Sequence, residues 1–195
     1  MRREARVICI ESKSAEIHDL NSVRSGRHHE LVSLAREELV CGDEEAALEK
    51  CMAALRYGRS YESLALAGTL LAILGRQEDS VNFTREAVES APHRADCYYD
   101  LAATLLEMGK PKEALHWAEQ GVRLVSRRHD DVVDFMFAVL VETLVELRRF
   151  DEAEAALKQG RRQTDDPLEL LDSAEALLES RRRRPSLRLV VTDTG

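Results

Sequence analysis

Residues 63–92 read SLALAGTLLAILGRQEDSVNFTREAVESAP, and residues 97–122 read CYYDLAATLLEMGKPKEALHWAEQGV. When Gly75 is laid on Gly109, 34 residues away, Leu64 falls on Tyr98, Ala67-Gly68 on Leu101-Ala102, Leu71 on Leu105, Ser80 on Ala114 and Ala87 on Gly121. Large apolar, small and turn positions thus recur in one register, at the period with which paired helices stack into arrays. Outward from this core, Leu31, Leu34-Ala35, Gly42, Ala47 and Ala54 repeat the pattern from His28. Phe137, Leu140-Val141, Leu144, Ala153 and Gly160 repeat it from Asp134. The copies begin at 28, 61, 95 and 134, spaced by 33, 34 and 39 residues. The five additional residues fall near Ser126–Asp130, where a surface turn absorbs them at small entropic cost.

The small positions carry a physical requirement. Ala35, Gly68 and Ala102 on the first helix of each copy face Ala47, Ser80 and Ala114 on the second, and two helix backbones approach closely only where neither carries bulk. Leu31, Leu64, Tyr98 and Phe137 fill the space beside each crossing, and Ala54, Ala87, Gly121 and Gly160 sit where the second helix meets the next copy. Gly42, Gly75 and Gly109 end the first helices in the left-handed conformation that a glycine adopts freely.

On these residues the chain resembles the tetratricopeptide-repeat family over roughly residues 28–165. The fold expected is all-α, a right-handed superhelical solenoid of stacked antiparallel helix pairs, with four repeats (28–60, 61–94, 95–133, 134–165) and a capping helix over 166–184 that starts at Asp166-Pro167. Residues 1–27 form an N-terminal extension and 185–195 a tail. Three departures single out the fourth repeat and its neighbours: Val141 replaces a small residue, Arg148 replaces the turn glycine, and Pro92 alone marks a closing proline.

Composition fits this reading. The 195 residues suffice for a well-buried domain, and their aromatic content of 5% suits stacked helices built from Ala, Leu, Glu and Arg. The apolar stretch Leu64–Leu74 is too short to span a bilayer, and Val7–Ile10 is too short for a signal-peptide core, so a cytoplasmic location is expected. The net charge of −8 is unevenly distributed. Residues 1–27 hold six Lys or Arg against four acids, residues 181–195 hold five against one, and the body 28–180 is left at −14. An acidic body repels nucleic-acid phosphate and favours basic partners, so no nucleic acid is expected. The run Arg181–Arg184 is read as complementing a helix C-terminus, with folding back onto the acidic body as an alternative. Cys9, Cys41, Cys51 and Cys97 lack CxxC spacing and are expected to be reduced core or near-core thiols. Val7–Ile10 and Leu187–Val191 have some strand character.

The sequence offers no nucleophile elbow, phosphate-cradling loop, dinucleotide fingerprint or zinc-protease motif. His28-His29-Glu30 is rejected as a metal site because adjacent helical residues point about 100° apart. Arg24 and His29 have the spacing found in some helical ribonucleases, a remote reading because Ser25-Gly26 stands between them at an expected helix start. No catalytic residue, metal or cofactor is expected.

The resemblance implies a concave groove lined by the first helix of each repeat. Residue by residue it places there His29, Val32, Ser33, Arg36 and Leu39; Glu62, Ala65, Leu66 and Thr69; Asp96, Tyr99, Asp100, Ala103 and Leu106; and Phe135, Ala138, Val139 and Glu142. A carboxylate clamp, as used by members that bind chaperone tails, is disfavoured: its sites hold Val32, Arg36, Leu66, Asp96 and Asp100, of which Arg36 alone has the right sign. The expected role is a non-enzymatic adaptor for a protein or peptide with basic residues beside an apolar segment, with Tyr99 and Phe135 as anchors and no membrane insertion. Similarity to the cytoplasmic chaperones of type III secretion translocators gives an alternative, and an uncovered end of the array leaves homodimerisation open.

Overall fold

The computed structural model describes residues 2–125, 132–164 and 169–183, with side chains described from Asn21 onward. Every element among them is an α-helix: α1 (Arg2–Cys41), α2 (Glu44–Leu55), α3 (Tyr61–Ile73), α4 (Gln77–Ser90), α5 (Asp96–Glu107), α6 (Pro111–Val125), α7 (Val133–Glu146), α8 (Phe150–Gln163) and α9 (Glu169–Arg183). They divide into two compact units, Met1–Pro92 with α1–α4 and His93–Gly195 with α5–α9. In the first unit each helix packs on the next. In the second, α5 packs on α6 and α7, α6 on α7, and α7 on α8, while α9 lies against both α7 and α8. Among the described residues, no helix is long and apolar enough to cross a membrane.

Each helix pair is held at a crossing of small residues. Ala35, Ala47, Ala102, Ala114 and Ala153 are completely buried. At the α3–α4 crossing the Ser80 hydroxyl donates to the Gly68 carbonyl oxygen at 2.8 Å, so the second helix bonds directly to the backbone of the first. A Cβ on Gly68 would collide with the Thr84 side chain and stand 3.3 Å from the Thr84 amide. In the second unit a Cβ on Gly121 would stand 2.8 Å from Met136 Sδ and 3.0 Å from Tyr98 Cβ, and one on Gly160 would stand 2.8 Å from Phe137 Cβ. Val141, larger than its equivalents, is nonetheless fully buried.

The turns inside the pairs share one geometry. Gly75 N–H donates to Ala72 O (2.9 Å) and Arg76 N–H to Leu71 O (2.8 Å). Gly109 with Lys110, and Gly42 with Asp43, repeat this pattern of closing bonds, which satisfies the last carbonyls of a helix. Gly42, Gly75 and Gly109 have φ of +80°, +73° and +69°. Arg148 makes the same bond, to Val145 O at 2.9 Å, and takes φ of +61°. The turn therefore imposes its conformation even where the residue carries a Cβ that resists it. Helix starts are capped locally as well: Asp43 accepts from Ala46 N–H at 2.9 Å, and Ser60 and Ser63 form a reciprocal capping box at α3.

Several expectations are corrected. α1 runs unbroken through Ser25-Gly26, so no helix starts there, and Val7–Ile10 lies within the same helix rather than in a strand. A helix satisfies its own backbone bonds, whereas an isolated four-residue strand needs a partner; the other strand candidate, Leu187–Val191, lies outside the described residues. So do the insertion at Ser126–Asp130 and the start of the capping helix at Asp166-Pro167, although α9 itself is described from Glu169. Cys51 and Cys97 are buried, but Cys41, the last residue of α1, is exposed. The Cys51 thiol donates to Ser63 O at 3.2 Å, and burial pushes its pKa up to about 12, which makes it inert as a nucleophile. The arginines of α9 do more than complement a helix dipole. Arg181 pairs with Glu146 of α7 (3.0 Å) and Arg182 with Glu154 of α8 (3.0 Å), while Arg161 of α8 reaches back to Asp172 and Glu175 of α9 at 2.6 and 2.7 Å.

Replacing Arg148 with glycine is expected to stabilise the protein by about 0.5–1 kcal/mol, because it removes a left-handed strain that outweighs the added freedom of the unfolded chain. Gly68→Leu is expected to destabilise it by about 1–3 kcal/mol through overpacking against Thr84. Urea unfolding of both variants measures the two shifts, which have opposite signs.

Candidate partner-binding faces

In the first unit the groove residues divide by depth. Val32 is buried with Leu31 and Ala54, and Leu66 packs against that cluster. His29, Ser33, Arg36 and Glu62 are exposed, and Leu39, Ala65 and Thr69 are half-buried. Thr69 turns its hydroxyl back to the Ala65 carbonyl oxygen (3.1 Å), as threonines within helices commonly do. The Glu62 carboxyl is held below the usual carboxylate range first by its own backbone amide and the Ser60 hydroxyl at the α3 N-terminus, then by the positive charges of Arg36 and His29. His29, Arg36 and Glu62 therefore form a mixed-charge neighbourhood, not an acidic one.

The adjacent histidines separate as their spacing on the helix requires. His28 is buried, with Nδ1 3.0 Å from the Ala54 carbonyl oxygen and Nε2 3.0 Å from Ser60 Oγ. A carbonyl only accepts, so Nδ1 carries the proton, while Nε2 is paired with the Ser60 hydroxyl. This histidine ties α1 to the end of α2 and to the capping box of α3. Arg24, whose guanidinium reaches the Tyr57 carbonyl oxygen at 3.5 Å, lies about 140° around the continuous helix from His29. The two do not share a face.

In the second unit the structure brings together Tyr99, Phe135 and Glu142. The rings of Tyr99 on α5 and Phe135 on α7 meet edge to face, with centroids 5.4 Å apart at 71°. Both are half-buried, as are Asp96, Asp100, Ala103, Leu106 and Glu142, whereas Ala138 and Val139 are buried. Burial pushes the Tyr99 phenol above its ordinary range, and Asp100, Glu142 and Glu107 add to the shift with their negative charge. Burial also raises the Glu142 carboxyl. Asp96 is engaged by Arg94 at 3.0 Å.

Two residues on these faces were not anticipated. Val40 is 87% exposed and Ile73 is 54% exposed, each two residues before its turn glycine and four after Arg36 or Thr69, hence on the same helix face. Their common offset in the repeat was the available signal. Among the described residues, no group of three or more His, Cys, Asp or Glu is arranged to hold a metal.

No protein-family model matches the chain, and no curated protein matches it either. Solved structures do. A thermophilic TPR protein of Thermus thermophilus is similar at 21% identity over 80% of this chain and 84% of that one, with a TM-score of 0.65. MamA 41-end from Desulfovibrio magneticus RS-1 is similar at 16% identity over 80% and 89%, with a TM-score of 0.63. An O-GlcNAc transferase of Thermobaculum terrenum aligns with 74% of this chain at 22% identity and a TM-score of 0.64, but the match spans only 28% of that enzyme. At these identities the likeness establishes the fold alone.

A raised carboxyl holds its proton more tightly when folded than when unfolded, so stability falls as pH rises through the window above the ordinary value near 4.5. The penalty is fully present once the carboxyl is ionised in both states. Glu142→Gln is therefore expected to raise the Tm at neutral pH, with the gain vanishing in acid where Glu142 is protonated in both states. Thermal melts of both proteins across pH check the sign.

Proposed function

Because the chain has the tetratricopeptide-repeat fold, we propose that it is a non-enzymatic protein-binding scaffold whose first-helix faces take an apolar segment flanked by basic residues. The supporting observation is the half-buried pair Tyr99–Phe135 on α5 and α7, beside the carboxylates Asp100 and Glu142. Rigid rings offer large contact area at small cost in side-chain entropy, and they anchor interfaces for that reason. The acids select the sign of the partner's charge and speed its approach. On the first unit, Val40 and Ile73 extend the apolar character of the corresponding faces. The buried His28, the high-pKa Cys51 and the ion-paired arginines of α9 hold helices in place, whereas the ring pair and its neighbouring acids lie on first-helix faces. A cytoplasmic adaptor is the role that fits these features.

Asp96→Lys combined with Asp100→Lys reverses the charge beside the ring pair. Capture of partners by the full-length chain, with identification by mass spectrometry, is expected to lose its specific proteins in this variant while the helical circular dichroism is unchanged. Recovery of the same proteins by both forms would remove this face from the binding surface.

A further inference from the structure

We propose that Tyr99, Phe135 and Glu142 receive one arginine side chain of a polypeptide partner, its guanidinium lying against the rings and its N–H groups donating to the Glu142 carboxylate. The inference rests on the protein-binding reading and names the chemistry that this face selects.

The geometry comes first. Phe135 and Glu142 stand seven residues apart on α7, two helical turns on one face and about 10 Å along the axis. Tyr99 spans that interval from α5: its ring touches Phe135 at 5.4 Å and its hydroxyl lies in the field of Glu142. Between Phe135 and Glu142 the α7 face carries the buried Ala138 and Val139, and the α5 face beside Tyr99 carries the half-buried Ala103, so no long side chain of these two faces stands between the rings and the carboxylate. A flat group can therefore approach the rings and the carboxylate together. Leu106, half-buried one further turn along α5, offers apolar contact to the residues flanking such an arginine.

Charge then selects the occupant. Several carboxylates elsewhere in the second unit are paired: Glu146 with Arg181, Glu154 with Lys158 and Arg182, Glu152 with Arg149. Glu142 makes no ion pair or hydrogen bond with any described residue, although it is half-buried and its ionised form is penalised by that burial. Among the described residues, the charges that act on the neighbouring Tyr99 are the carboxylates Asp100, Glu142 and Glu107. A partly desolvated carboxylate beside aromatic faces stabilises a cation in two ways at once, by direct pairing and by the ring quadrupole. Guanidinium is planar and weakly hydrated, so it stacks on a ring while donating along its edge, which a compact, strongly hydrated ammonium does poorly. Among the described residues these acids do not form a group of three or more arranged to hold a metal ion.

The test is an NMR titration of the full-length protein with a capped pentapeptide, Gly-Leu-Arg-Leu-Gly, and with its citrulline twin, which keeps the shape of arginine but not the charge. The arginine peptide is expected to shift the Tyr99 and Phe135 ring signals and to bind about tenfold more tightly than the citrulline peptide. Glu142→Gln is expected to abolish that preference without lowering the Tm, an outcome that a merely structural glutamate would not give. Equal binding of both peptides at the rings would overturn the arginine site while leaving the protein-binding reading intact. Absence of ring shifts at millimolar arginine peptide, or an undiminished preference in Glu142→Gln, would also overturn it. The wider reading falls separately, through unchanged capture by the Asp96→Lys, Asp100→Lys variant.

Discussion

Two helix backbones can touch only where both have given up their side chains, and that constraint organises this protein. Gly68 lies so close to α4 that Ser80 bonds its carbonyl oxygen directly, and there is no room for a Cβ beside Thr84. Ala35 with Ala47, and Ala102 with Ala114, meet the same demand with a single methyl each. Once a pair is drawn this close, the remaining volume on either side is fixed, and Leu64, Leu71, Leu101, Leu105 and Phe137 fill it with almost no surface left exposed. The short reversal between the helices follows from the same closeness. It needs a residue at positive φ, and the turn is tight enough that Arg148 adopts the conformation its three glycine counterparts take without strain.

The same packing decides what remains available for recognition. Burial consumes one face of each first helix and leaves exposed or half-buried residues beside it: Arg36 and Val40 on α1, Thr69 and Ile73 on α3, Tyr99 and Asp100 on α5, Phe135 and Glu142 on α7. Two kinds of charged group stand out among the described residues. Exposed pairs such as Arg181–Glu146, Arg182–Glu154 and Arg161–Asp172 fasten α9 to α7 and α8, each contributing about 0–1 kcal/mol in water and less in salt. Glu142 is of the other kind, a carboxylate that burial penalises and that no described side chain neutralises. A group that costs stability in the isolated chain has a natural use in binding, where a partner can supply the missing charge.

Much of this was legible in the chain. The register of Gly75 on Gly109, and of Ala67-Gly68 on Leu101-Ala102, located the crossings and the turns because local geometry admits few residue types at those points. The positions Tyr99, Asp100, Phe135 and Glu142 came from the family resemblance, and the structure brings Tyr99 and Phe135 into ring contact. Other features were not legible. The continuity of α1 through Ser25-Gly26 depends on a helix tolerating one glycine, a cost of about 1 kcal/mol that neighbouring bonds absorb. The burial of His28 against Ala54 and Ser60 and the pairing of the α9 arginines with α7 and α8 involve partners 26 to 35 residues away in the chain, and the exposure of Cys41 depends on how its helix end is packed. Periodicity carries no information about such distant contacts.

By itself, then, the sequence determined the helix pairs, their crossings and the positions of their turns, because each rests on steric limits that act within a few residues or recur at a fixed period. The tertiary structure alone decided that Tyr99 meets Phe135 edge to face, that Val40 and Ile73 are exposed, and that no described residue pairs with the half-buried Glu142. Those outcomes depend on which side chains from separate helices arrive at the same place and how much water they exclude, and desolvation and pairing are properties of that arrangement rather than of any one segment of the chain.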